Sequence, residues 1–127
     1  MPFLRIDLAG PVDPATKRRL LGECAEEFAA IIGSDVGRVR TQVNEIPPED
    51  FAVGGIPISE SGLQAPFITL DLFRGQTAAE HRALCERLPR LVAAILGCPL
   101  ERTRLRINEV FPAGWSIGGT QASELRR

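Results

Sequence analysis

The residue of this chain with the least ordinary chemistry is Pro2, which directly follows the initiator Met1. Once Met1 is removed, the Pro2 ring nitrogen is a free secondary amine. Ordinary α-amino groups titrate at about 7.7–8.0, and an isolated secondary amine is more basic. A group that moves protons at neutral pH works best with a pKa near that pH. An apolar wall disfavours the ammonium form, and so does a nearby guanidinium, so both lower the pKa. The chemistry on offer is general base and general acid work. The plainer reading is a proline that only opens a strand. Pro66 supplies an internal contrast. It follows Ala65, so its nitrogen is an amide with no proton and little basicity.

Other chemistries are poorly provided for. The one histidine, His81, falls near a helix start and reads as a solvated side chain. Cys24, Cys85 and Cys98 are odd in number and form no CxxC, and two of them fall on helical apolar stripes; they read as reduced, mostly buried thiols. No cluster of His, Cys or carboxylates has metal-ligand spacing, and no glycine-rich phosphate loop precedes a helix. Neither a metal nor a cofactor is expected.

Composition removes further classes. A chain of 127 residues suits one compact domain, 1–127. With 44% apolar and 24% charged residues it is neither disordered nor fibrous. Fifteen basic residues face sixteen acidic ones, with no basic stripe interleaved with aromatics, so nucleic acid is not an expected partner. No apolar run is long enough for a membrane span. The start lacks the charged and apolar regions of a signal peptide, so the expectation is a cytoplasmic protein.

The elements that would position Pro2 are written twice. At a fixed offset of 64 residues, Pro2-Phe3 recurs as Pro66-Phe67, Asp7-Leu8 as Asp71-Leu72, Asn44-Glu45 as Asn108-Glu109 and Gly54-Gly55 as Gly118-Gly119. Arg38 and Arg40 recur as Arg102 and Arg104. The repeat spans 2–64 and 66–127, and the segment from Ile56 to Ala65 joins the halves.

Each unit reads as strand, helix, strand. Phe3 to Leu8 alternates, with Leu4, Ile6 and Leu8 on one face. Asp13 caps the first helix, Pro14 fits its first turn, and Leu20, Cys24, Phe28 and Ile31 form its stripe before Gly33. Thr77 and Glu80 form a capping box for the second helix. Its stripe is Leu84, Leu88, Leu91 and Ile95, and Pro89 predicts a kink. The second strands run from about Val39 to Ile46 and from Thr103 to Val110. The expected fold is α/β (α+β): tandem β-α-β units making a four-stranded mixed sheet with both helices on one face. The other face carries Arg5, Asp7, Arg40, Asn44, Asp71, Arg104, Arg106 and Asn108. Nothing else in the chain covers it, so either water or other subunits do.

These residues together resemble the tautomerase superfamily, in the fused, double-length form of the 4-oxalocrotonate tautomerase group. The carriers are Met1-Pro2-Phe3, Arg38-Val39-Arg40, the run from Asn44 to Gly55, Leu105 to Val110, and Trp115-Ser116-Ile117-Gly118-Gly119. The resemblance implies a catalytic N-terminal proline at Pro2 and an arginine at Arg40 or Arg104 that binds a substrate carboxylate or carbonyl oxygen. It also implies an aromatic pocket wall at Phe51 or Trp115, a small carboxylate as substrate, and a homotrimer that looks like a hexamer. Asp7, Asp71, Asn44, Asn108, Glu45 and Glu109 are kept in both halves. They read as structural, pairing across sheets or with arginines.

The chain departs from the short relatives where they carry an arginine after the first strand. Val12 and Gln76 stand there, which weighs against diacids such as 2-hydroxymuconate and towards monoacid enols such as phenylenolpyruvate. Arg74, on the same turn as Gln76, is the candidate substitute. Ile117, Phe73 and Gln76 stand where dehalogenase relatives have their glutamate and paired arginines, and Arg38 where decarboxylases have an aspartate. Three readings stay open: a tautomerase, a Pro2-dependent decarboxylase or carbon–carbon addition enzyme, and a non-catalytic ligand- or partner-binding relative.

Overall fold

The computed structural model describes residues 2–125. Met1, whose removal the amine requires, and Arg126 and Arg127, where the second repeat ends, lie outside them. Strand β1 (Phe3–Ala9) leads to helix α1 (Pro14–Ile32) and strand β2 (Arg40–Ile46). Strand β3 (Ala52–Val53) and strand β4 (Ile56–Pro57) form a small hairpin, followed by a single helical turn α2 (Ile58–Ser61). The pattern repeats as β5 (Phe67–Phe73), α3 (Ala78–Leu96) and β6 (Arg104–Val110), then a second hairpin of β7 (Ser116–Ile117) and β8 (Thr120–Gln121).

The main sheet has the order β2-β1-β5-β6. Each outer strand runs parallel to its inner neighbour, as a helical crossover requires, and the two inner strands are antiparallel. Leu4, Ile6 and Leu8 of β1 and Ile68, Leu70 and Leu72 of β5 are buried beneath Leu20, Cys24 and Phe28 of α1 and Leu84, Leu88 and Val92 of α3. The core is therefore one layer between sheet and helices. Arg87 ties the two helices together through Glu27 at 2.8 Å. On the opposite face Arg40, Gln42, Asn44, Arg104, Arg106 and Asn108 are exposed.

The helix ends follow the capping chemistry of the sequence. The Asp13 side chain accepts from Thr16 N, the Thr77–Glu80 box is complete, and Gly33 and Gly97 close the helices in the left-handed conformation. Two details differ from expectation. In α3 the fully buried row is Leu84, Leu88 and Val92, while Leu91 and Ile95 pack at its margin. Pro89 lies inside the helix and is itself buried; it offers no N–H to the Cys85 carbonyl. Cys85 is exposed rather than buried, so of the three thiols only Cys24 sits fully in the core. There, burial pushes its pKa up to about 12, with Glu23 and Glu27 adding to the shift.

The duplicated polar residues pair within the sheet. Asn44 donates to Asp7 and Asn108 to Asp71, both at 3.0 Å across parallel neighbours. Glu45 pairs with Lys17 at 2.7 Å, not with an arginine. Its other oxygen accepts from Val12 N at 2.8 Å. At the equivalent place Glu109 approaches His81 Nε2 at 3.6 Å.

Candidate active site

The strand register sorts the candidate residues into two groups. Phe3 is paired with Arg40 on one side and with Asp71 on the other. Arg40 N donates to Pro2 O at 3.0 Å. Pro2, the start of β2 and the end of β5 therefore meet at one end of the sheet. Phe73 closes β5 there and meets Trp115 edge-to-face, with ring centroids 5.5 Å apart. Arg74 follows, its backbone N–H donating to Val110 O at 3.1 Å, and its guanidinium lies 4.7 Å from the centre of the Phe111 ring. Pro2 is half-buried among these elements.

Pro66, Arg104 and Phe51 lie at the other end. Asp7 pairs with Phe67, and Phe67 with Arg104. Arg104 N donates to Pro66 O at 3.0 Å, repeating the Arg40–Pro2 bond. Phe51 packs on Ala9, Ile58 and Ala65. At about 3.3 Å per residue, the two ends are roughly 20 Å apart.

The two arginines differ in what they hold. The Arg104 guanidinium donates to the carbonyls of Glu101 at 2.7 Å and Thr103 at 3.2 Å. The Arg40 side chain makes no hydrogen bond or ion pair among the described residues, and it is exposed. Its fork is free to take a carboxylate or an enolate oxygen. The second end is also tied down by its own linker. Arg102 donates to the carbonyls of Leu63 and Gln64, and Gln64 exchanges hydrogen bonds with the backbone of Ala9. Pro66 is fully buried.

Two residues beside Pro2 escaped the sequence reading: Phe73 as a partner of Trp115, and Phe111 as a partner of Arg74. The signal was present in the repeat. Residues 73, 74 and 111 stand opposite Ala9, Gly10 and Pro47, so the halves diverge here where they otherwise agree. Among the described residues, no three His, Cys, Asp or Glu side chains converge as a metal site needs. No helix is long and apolar enough to cross a membrane among those residues.

A proline-led, duplicated β-α-β chain with Arg40 and the Phe73–Trp115 pair at the proline end of its sheet defines a class, and comparison with known proteins agrees with it. The family profile described as "Tautomerase enzyme" matches residues 66–124. The 2-hydroxymuconate tautomerase of Pseudomonas putida is 32% identical over 62 residues, 49% of this chain and 98% of that protein. The enzyme of the same name from Comamonas testosteroni is 29% identical over the same length. A fused 4-OT solved as an asymmetric trimer (F6) superposes with a TM-score of 0.89 at 30% identity, covering 98% of this chain and 99% of its own. A native fused 4-OT gives 0.90 at 28% identity, with the same coverage. The chain belongs to the tautomerase family. Within it, this is a fused 4-OT-like protein and an isomerase.

Proposed function

We propose that this tautomerase uses the Pro2 amine, freed by removal of Met1, to interconvert the enol and keto forms of a small 2-hydroxy-dienoate or enolpyruvate-type carboxylate. The observation that carries the reading is the grouping of Pro2, the unpartnered Arg40 and the Phe73–Trp115 pair at one end of the sheet. The neutral amine takes the proton of the enol hydroxyl. The electron pair of that O–H bond becomes the carbonyl, and the carbon end of the system takes a proton back from the ammonium. Arg40 meets the substrate's oxygens as negative charge develops on them, which is where a fixed donor lowers the barrier most. Trp115 and Phe73 exclude water from the amine and favour its uncharged form. Arg74 is the further substrate ligand. Arg104 and Phe51, next to the amide of Pro66, have no amine to serve within their own end, so each chain carries one working site.

The same reading takes the chain as one domain of two units, 2–64 and 66–127, assembled as a homotrimer that imitates a hexamer. Fused relatives solved as trimers support it, as does the open polar face of the sheet, for which subunits are the natural cover. Mass measurement of the intact and the native protein tests Met1 removal and the trimer together. The decisive assay follows ketonisation of 2-hydroxymuconate and phenylenolpyruvate by ultraviolet absorbance. General base catalysis contributes about 10²–10⁴-fold, and blocking the amine, by retaining Met1 or by acetylating the N-terminus, is expected to remove that much, whereas Pro2→Ala, which leaves a primary amine, is expected to lose less. Full activity in the blocked protein overturns the proposal.

A further inference from the structure

The polar face of the main sheet holds one row of side chains that are not spent on one another. The strand register sets Gln42 of β2, Arg5 of β1, Thr69 of β5 and Arg106 of β6 side by side. Thr69 is only 4% exposed, and its hydroxyl makes no hydrogen bond among the described residues. A buried hydroxyl without a partner is costly. Arg5 Nε, directly opposite, is buried too. It reaches Asp7 Oδ1 at 3.3 Å without forming a hydrogen bond. Two of the three buried, unbonded side-chain polar atoms among the described residues therefore face each other across β1 and β5. Arg106 flanks Thr69 on its other side. Its guanidinium stands 5.4 Å from the centre of the Phe67 ring and makes no hydrogen bond or ion pair among the described residues. Stacking uses the face of a guanidinium and leaves its N–H rim open.

The charge around this row is one-sided. The face carries Arg5, Arg40, Arg104 and Arg106 against Asp7 and Asp71, a net charge of +2 on a chain whose net charge is −1. Both aspartates are engaged, Asp7 by Asn44 and Arg5 and Asp71 by Asn108. Neighbouring strands lie about 4.8 Å apart, so the backbones of Arg5 and Arg106 are roughly 10 Å apart with Thr69 midway between them. Two arginine side chains at that separation can close over the residue they flank. In the repeat, Thr69 stands where the first half has Arg5, and Arg106 where it has Gln42. Divergence of the halves has thus set one hydroxyl between two cations. The row is three residues along β1 from Pro2, or about 10 Å, with the Phe3–Asp71 pair in between.

We propose that this row binds a tetrahedral oxyanion of the phosphate class, with Arg5 and Arg106 closing on it from two sides and the Thr69 hydroxyl meeting it from the sheet. Donors on three strands match an anion whose oxygens lie in more than one plane, whereas a carboxylate offers two coplanar oxygens. The site is separate from the Pro2 end and takes no part in proton transfer. Its consequence for assembly rests on the trimer reading above. Where copies of the chain cover one another's polar faces, like charges converge, and a bound anion offsets them. An anion held only in the assembled form shifts the equilibrium towards assembly.

The test is a calorimetric titration of the full-length protein with inorganic phosphate, in chloride buffer at fixed ionic strength. Saturable uptake is expected, with acetate competing poorly. Thr69→Val keeps the shape of the side chain and removes its hydroxyl. It should weaken phosphate binding about tenfold, as loss of a hydrogen bond to a charged group does, and Thr69→Ser should restore it. Arg106→Gln should weaken binding at least as much. Arg40→Ala, at the Pro2 end, should leave phosphate binding unchanged. Binding indifferent to Thr69→Val and Arg106→Gln is an adventitious ion only and overturns the proposal. So does binding lost in Arg40→Ala, or no saturable uptake by wild type. Sedimentation in phosphate and in chloride separates this result from the trimer reading. A monomer in both that still takes up phosphate through Thr69 refutes only the trimer, whereas a trimer whose phosphate affinity ignores Thr69→Val refutes only the anion site.

Discussion

The two ends of the sheet began as the same structure and no longer are. At each, a proline carbonyl accepts from an arginine N–H at 3.0 Å, and an aromatic carbonyl, of Phe51 or Trp115, accepts from a backbone N–H at 2.8 Å. Beyond that skeleton they diverge. The Pro66 end is closed by its own linker: Gln64 and Arg102 bond across it, Phe51 fills it, and Arg104 spends its donors on nearby carbonyls. The Pro2 end keeps its arginine free and adds Phe73, Arg74 and Phe111. Duplication thus let one end take over the burden of stability and left the other free to keep polar groups unpaired. The exposed guanidinium of Arg40, near the half-buried Pro2, keeps its donors available to an anion.

That contrast is broken most directly at the arginines. Arg40→Ala is expected to lower kcat about 10²–10³-fold, the loss seen when a donor to a developing oxyanion is removed. Arg104→Ala should leave kcat near wild type and act on stability. Steady-state kinetics with urea denaturation on both variants separates the outcomes. A larger kcat loss in Arg104→Ala would mean that the arginine serving each amine comes from the second half of a neighbouring chain.

The aromatic pair sharpens the same contrast on a smaller scale. Phe51 packs on Ala9, Ile58 and Ala65, so Phe51→Ala should cost about 2 kcal/mol of stability, less than the roughly 3–5 kcal/mol of a fully buried aromatic because Phe51 is only half-buried. Trp115→Ala should cost less stability but lower kcat/KM about tenfold, equivalent to 1.4 kcal/mol of transition-state binding. Trp115 is the only tryptophan, so quenching of its fluorescence by a substrate analogue reports directly on the Pro2 end.

How much of this was legible in the sequence follows from what each feature depends on. The strands, both caps and the sheet face of each residue depend on local spacing, and Leu4-Ile6-Leu8, Asp13, Thr77 and Gly97 declare themselves. The grouping of Pro2 with Trp115 rather than Phe51 depends on the antiparallel register of β1 and β5. Nothing local encodes that pairing of residues more than sixty positions apart. Arg40 and Arg104 look alike in sequence because their difference lies in which carbonyls each guanidinium reaches.

The smallest expected difference between the halves lies in how each helix begins, and it is a difference in pH response. α1 is capped by a carboxylate and α3 by a hydroxyl. The Thr16 hydroxyl, and then the Thr16 backbone N–H, hold the Asp13 carboxyl below its ordinary value. A carboxyl with a lowered pKa in the folded state contributes stability that is full above its unfolded value. The contribution is lost as pH falls through the folded one. Asp13→Ala should therefore destabilise the protein at about pH 7 and progressively less as the pH falls below the ordinary carboxylate range, where wild type loses the same contribution. Thr77→Ala should cost about 1 kcal/mol throughout, because a hydroxyl cap has no charge to lose. Urea denaturation of the two variants against wild type across that pH range measures the difference. Parallel responses from Asp13→Ala and Thr77→Ala would mean that the first helix does not depend on its ionised cap.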